Sequence, residues 1–132
     1  MDDLAASEAM IARIVGCLVP LGVNRVTLTL KNIDPSGGQG FSERLFADAM
    51  YWLAEEGIIR FEQERQTTQL RMRGCVLTAR GYALLGQPLR IEGKTGTVGE
   101  RVREVQAGDA QYARAGNFFG GLLGAFTKSI SG

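Results

Sequence analysis

Trp52-Leu53-Ala54-Glu55-Glu56-Gly57-Ile58-Ile59-Arg60 passes from a helical pattern through a glycine into an alternating one, and Val76-Leu77-Thr78-Ala79-Arg80-Gly81-Tyr82-Ala83-Leu84-Leu85 makes the reverse change. Upstream of the first stretch, Leu45, Phe46, Ala49, Met50 and Leu53 recur at helical spacing. Ser42 is placed to cap that helix and Gly57 to end it in a left-handed conformation, so the spacing predicts a helix over 42–56. Ile59 and Phe61 then alternate with Arg60 and Glu62. After a polar tip at Gln66-Thr67-Thr68, Leu70 and Met72 alternate with Arg71 and Arg73. Two alternating runs about a polar tip predict a β-hairpin over 58–77. Thr78 can cap a short helix through Leu85, which the Gly86-Gln87-Pro88 turn closes.

Toward the N-terminus, Leu4, Ile11, Ile14, Val15, Leu18 and Val19 form a helical stripe over 3–19. Asp2, Asp3 and Glu8 suit the positive end of its dipole, and Pro20 and Gly22 stop it. Over 23–31 the period changes: Val26, Leu28 and Leu30 alternate with Arg25, Thr27, Thr29 and Lys31, which predicts a half-buried strand. Asp34-Pro35-Ser36-Gly37-Gly38-Gln39-Gly40 reads as a loop, because three glycines and a proline in seven residues sustain neither regular element.

The order helix, hairpin, capped helix over 41–86 resembles a winged-helix domain. Two stretches carry the resemblance: Leu53-Ala54-Glu55-Glu56-Gly57-Ile58-Ile59 at the helix-to-strand turn, and Leu77-Thr78-Ala79-Arg80-Gly81 at the strand-to-helix step. Extended to the preceding helix and strand, it covers 3–86. It implies an α+β body of helix, strand, helix, β-hairpin wing and helix, with 42–56 as the recognition helix and 58–77 as the wing. The family's second helix falls on the Gly-rich loop 34–40 and is expected to be degenerate. Winged helices bind DNA, RNA and proteins alike, so the resemblance leaves the partner open.

Charge bears on that choice, because phosphate contacts supply most non-specific affinity for nucleic acid. Residues 42–56 hold Arg44 against Glu43, Asp48, Glu55 and Glu56, a net −3. Residues 58–80 hold Arg60, Arg65, Arg71, Arg73 and Arg80 against Glu62 and Glu64, a net +3. The helix that would enter a groove is acidic and the hairpin is basic. A DNA reading places Arg65, Arg71 and Arg73 along phosphates, with Arg44 and Tyr51 facing the duplex. The competing reading pairs Arg71 and Arg73 across the hairpin with Glu62 and Glu64. Tyr51 and Trp52 are either an exposed aromatic contact or a widening of the core face. A protein partner suits the acidic helix better than DNA does.

The 132 residues carry a formal net charge of +1, 45% hydrophobic residues and no His. That composition suits a folded domain, and it removes the usual general base near neutral pH and the commonest metal ligand. Cys17 and Cys75 make no zinc framework and read as small buried hydrophobes. Gly93-Lys94-Thr95 lacks the earlier glycine of a phosphate-binding loop, and no carboxylate pair or nucleophile–base arrangement is legible. A non-catalytic protein without metal or cofactor is expected. The acidic opening Met1-Asp2-Asp3 is unlike a secretory signal, so the expected compartment is the cytoplasm.

Beyond Pro88 the character changes, suggesting a body at 1–88, a linker at 89–96 and a helical Gly-rich tail at 97–132. Chain-wide, 18 glycines are about twice the usual share. Gly116, Gly120 and Gly124 stand four apart, and Phe118, Phe119, Leu122, Leu123, Phe126 and Ile130 form an apolar series among them. Each interior glycine costs a helix about 0.5–1 kcal/mol, so such a segment needs an apolar surface to hold it. That surface is expected to be a copy of the same chain, making a homo-oligomer, or a groove on a protein partner. A membrane interface is weaker, since Lys128 is the single lysine near the segment. The function expected is a non-catalytic interaction or regulatory module. A DNA-binding transcriptional regulator is the alternative, and a peripheral membrane protein a further one.

Overall fold

The computed structural model describes residues 3–65, 69–86, 96–97 and 99–100. Helix α1 spans Asp3–Leu18 and runs into a 3-10 turn at Val19–Leu21, with Pro20 inside the turn. Strand β1 is Val26–Leu28, α2 is the single turn Leu30–Ile33, and α3 is Glu43–Glu55. Strands β2 (Ile59–Arg65) and β3 (Leu70–Leu77) form the hairpin, and α4 (Ala79–Leu85) closes the body. The architecture is α+β, with helices on a three-stranded antiparallel sheet in the order β1-β3-β2.

Local chemistry explains the boundaries. Ser42 Oγ accepts the Leu45 N–H at 3.0 Å and opens α3; Gly57 ends it at φ +79, a conformation that costs glycine little. Thr78 Oγ1 accepts the Gly81 N–H at 3.0 Å to open α4. Phe46, Ala49, Met50 and Leu53 are buried on α3, spaced three, one and three apart, and α3 packs on α1.

Two readings need correction. The strand expected over 23–31 stops at Leu28. Thr29 takes extended dihedrals, Asn32 Oδ1 accepts its N–H at 2.8 Å, and the chain turns helical at Leu30. Second, a helical turn forms at Leu30–Ile33, just before the glycine-rich loop in which only a degenerate helix was expected.

Most of α1 from Glu8 onward is buried, not one stripe of it: Ala9, Met10, Ala12 and Ile14 are all at or below 1% exposure. The helix is enclosed because three elements, α3, α2 and β3, all pack against it. Loop 34–40 is held by Asp34, a buried carboxylate that accepts the Gln39 N–H with both oxygens at 3.4 and 3.2 Å. Arg13 ties α1 to the same region, donating to the Ile33 carbonyl at 3.2 Å and lying 5.9 Å from the Phe41 ring centre.

One irregularity shapes the sheet. Val26 and Leu28 of β1 face Cys75 and Met72, while Arg60 and Glu62 of β2 face Val76 and Arg73. Both neighbours advance two residues where β3 advances three. The central strand therefore carries a bulge against both partners, with Gly74 inside it at φ +64. The boundaries at 88, 96 and 97 fall in or beside undescribed stretches. At the near edge of the tail, Thr97 Oγ1 accepts the Glu100 N–H at 3.2 Å, and Glu100 Oε1 accepts the Thr97 N–H at 3.2 Å. That reciprocal pair is a helix-opening signature.

Candidate functional site

The outward side of α3 is presented by its packing: once Phe46, Ala49, Met50 and Leu53 turn inward, Glu43, Arg44, Asp48, Tyr51 and Glu55 face solvent. Arg44 and Asp48, four apart, approach to 3.8 Å with both side chains largely exposed. Glu43 Oε2 accepts the Leu70 N–H at 3.3 Å, fastening the start of α3 to the start of β3. Tyr51 is 40% exposed and donates its hydroxyl to Gln63 Oε1 of β2. Its ring meets Phe61 edge-on, with centroids 5.3 Å apart and planes at 61°. Trp52, in contrast, is half-buried against the core. Of the two adjacent aromatics, one supports the fold and one is offered to solvent.

On the hairpin, the register sets Glu62 opposite Arg73 and Glu64 opposite Arg71. Arg73 and Glu62 approach to 3.6 Å, and Arg71 is half-buried. Arg65 closes β2 opposite Leu70, and its side chain lies outside the described residues. So do the tail residues Gly116, Phe118, Phe119, Gly120, Leu122, Leu123, Gly124, Phe126 and Ile130. The structure thus joins Tyr51 to β2 and Arg73 to Glu62, and keeps Arg44 apart on α3.

Two clefts flank these elements. The larger, about 610 Å³, lies where the start of α1 meets loop 39–41 and the first turns of α3. It is lined by Ser7, Gln39, Phe41, Ser42, Arg44 and Asp48 among others. The smaller, about 420 Å³, is bounded by Arg25, Arg60, Phe61, Glu62, Arg73 and Gly74. Arg25 and Arg60 are not among the residues singled out from sequence. Each was legible as the polar member of an alternating run, but which runs become neighbours depends on β3 lying between β1 and β2.

Neither thiol is activated. Burial pushes Cys75 up to about 11, and its S–H donates to the Met72 carbonyl at 3.1 Å. Burial also raises Cys17, partly offset by the Arg13 charge. Both stay protonated at neutral pH and are poor nucleophiles there. Among the described residues no group of three His, Cys, Asp or Glu side chains could hold a metal, and no helix is long and apolar enough to cross a membrane. No protein-family model, curated protein or solved structure matches the chain.

Proposed function

We propose that the chain is a non-catalytic interaction module with a winged-helix-like body, binding a protein partner through α3 and β2 and self-associating or docking through 116–130. Supporting the winged-helix reading are the element order and the sheet order β1-β3-β2, with α2 as the reduced second helix. The observation that carries the choice of partner is the solvent side of α3. Glu43, Asp48 and Glu55 stand there with Arg44 as the single cation, itself beside Asp48, and Tyr51 projects among them braced by Phe61 and Gln63. Such a face repels phosphates and offers a rigid aromatic anchor of the kind enriched at protein interfaces.

The alternative, a DNA-binding regulator, draws on the net +3 of residues 58–80. Mixing the full chain with a DNA duplex at low salt separates the two. The protein reading expects no binding that weakens steeply with salt. A salt-sensitive complex abolished by charge reversal at Arg71 and Arg73 replaces it with the DNA reading. Light scattering tests the tail: the full chain should exceed the mass of one copy, and Phe118→Ser, Phe119→Ser and Phe126→Ser together should lower it. A monomer in both cases removes self-association.

A further inference from the structure

The α3 face leaves the smaller cleft on the sheet unexplained. Its three arginines come from three segments: Arg25 precedes β1, Arg60 is in β2 and Arg73 is in β3. Strand alternation puts Arg60 and Arg73 on the side opposite Ile59 and Met72, which point into the core. The bulge brings in the third. Gly74 has no side chain, and the Arg25 guanidinium lies across it, donating from Nη1 to the Gly74 carbonyl at 3.5 Å. A Cβ at Gly74 would meet that same Nη1 at 3.9 Å. Among the described residues, Glu62, 3.6 Å from Arg73, is the lone carboxylate lining the cleft.

Three guanidinium groups against one carboxylate leave the cleft at +2. Gathering like charges around one opening brings the fold no packing and costs repulsion, so the arrangement suits an anion that neutralises it. Guanidinium is the cation whose paired N–H groups match phosphate oxygens. A volume of about 420 Å³ lies within the range of small-ligand sites, about 300–1,000 Å³. We propose that the cleft between Arg25, Arg60 and Arg73 binds the phosphoryl dianion of a small phosphomonoester. A dianion cancels the +2 in full. A nucleic-acid backbone, with one charge per phosphate, needs cations spaced along a track, whereas these converge on one opening beside Glu62.

The test follows the arginine Nε–H resonances of the isotope-labelled full chain during titration with adenosine 5′-monophosphate, inorganic phosphate, adenosine and a short DNA duplex. Saturable shifts at Arg25, Arg60 and Arg73 are expected with both phosphate-bearing small probes and none with adenosine. Arg60→Gln, an exposed position, should weaken binding about tenfold or more, the loss expected for one charge-assisted contact. Arg25→Gln should do the same, while Arg44→Gln, outside the cleft, should leave affinity unchanged. The proposal is overturned by no saturable shift, by cleft variants that bind as tightly as the parent chain, or by a duplex that saturates these arginines where the small probes do not. Self-association and the Tyr51 surface enter none of these readouts, so this proposal and the preceding one fail separately.

Discussion

Gly81, in the first turn of α4, lies against the backbone carbonyl of Ile58 so closely that a Cβ there would overlap the oxygen. Leu77 and the Ile58 side chain close the remaining space at 3.1 and 3.2 Å from the same point. The helix sits this near because Ile58 O also accepts the Thr78 N–H at 2.8 Å. Gly81→Ala must push α4 off the sheet and should cost about 1–3 kcal/mol, as other overpacked sites do. Gly86→Ala is the control: φ there is −83 and the nearest atom to an added Cβ is 3.6 Å away. That variant should be neutral or slightly stabilising. Urea unfolding of the two variants checks the contrast, and equal stabilities would refute the close approach.

Thr78 holds the same junction from the other side. Its hydroxyl oxygen accepts the Gly81 N–H, and its O–H lies 2.5 Å from the Gly57 carbonyl and 3.0 Å from that of Ile58. One side chain therefore caps α4 and reaches back to the end of α3. Thr78→Val keeps the shape and removes both roles, for an expected loss of about 0.5–2 kcal/mol. Thr78→Ser should restore most of it. Thermal unfolding reads the series, and a Ser variant as weak as Val would show that the methyl group and not the hydroxyl matters.

These junctions were legible because their signals are local. A threonine three residues before a glycine, or a serine ahead of Phe46, Ala49, Met50 and Leu53, specifies a cap and a face without knowledge of the rest of the chain. Leu30 shows where that fails. Its alternation with Leu28 extends a strand, while its spacing to Ile33 starts a helical turn, and the two signals compete. Asn32 decides for the turn by accepting the Thr29 N–H. Burial of Ala9, Met10 and Ala12 was equally hidden, because one helix's stripe does not reveal how many neighbours surround it. The arginine cleft is the furthest from the sequence: Arg25, Arg60 and Arg73 converge only through strand order and a bulge.

That bulge is itself testable. Gly74 has room for a side chain, with Arg25 Nη1 at 3.9 Å, so its constraint is backbone conformation alone. At φ +64 an alanine should cost about 1–2 kcal/mol. Gly74→Asn should cost less, since asparagine tolerates the left-handed region better. Chemical denaturation ranks the three proteins. An alanine variant as stable as the parent would mean that the strand can straighten without loss.

Cys75 makes stability depend on alkaline pH in a defined direction. The residue is fully buried in the sheet, and desolvation lifts its thiol from an ordinary 9.0 to about 11, against a smaller opposing contribution from a backbone hydrogen bond at Leu28. As pH rises, the unfolded chain ionises first. Above about 9 unfolding therefore releases a proton and becomes easier. The stabilisation is complete below the unfolded value and is lost as pH climbs through the folded one. A two-unit difference corresponds to about 2–3 kcal/mol over that window. Tyrosines and lysines titrate nearby, so the comparison that isolates the thiol is Cys75→Ala against its parent, both in a Cys17→Ala background. The alanine variant should start less stable near neutral pH because it leaves a cavity, and its deficit should shrink from pH about 8.5 to about 11. A deficit that stays constant across this range would place the Cys75 thiol in a more solvated setting than the sheet interior.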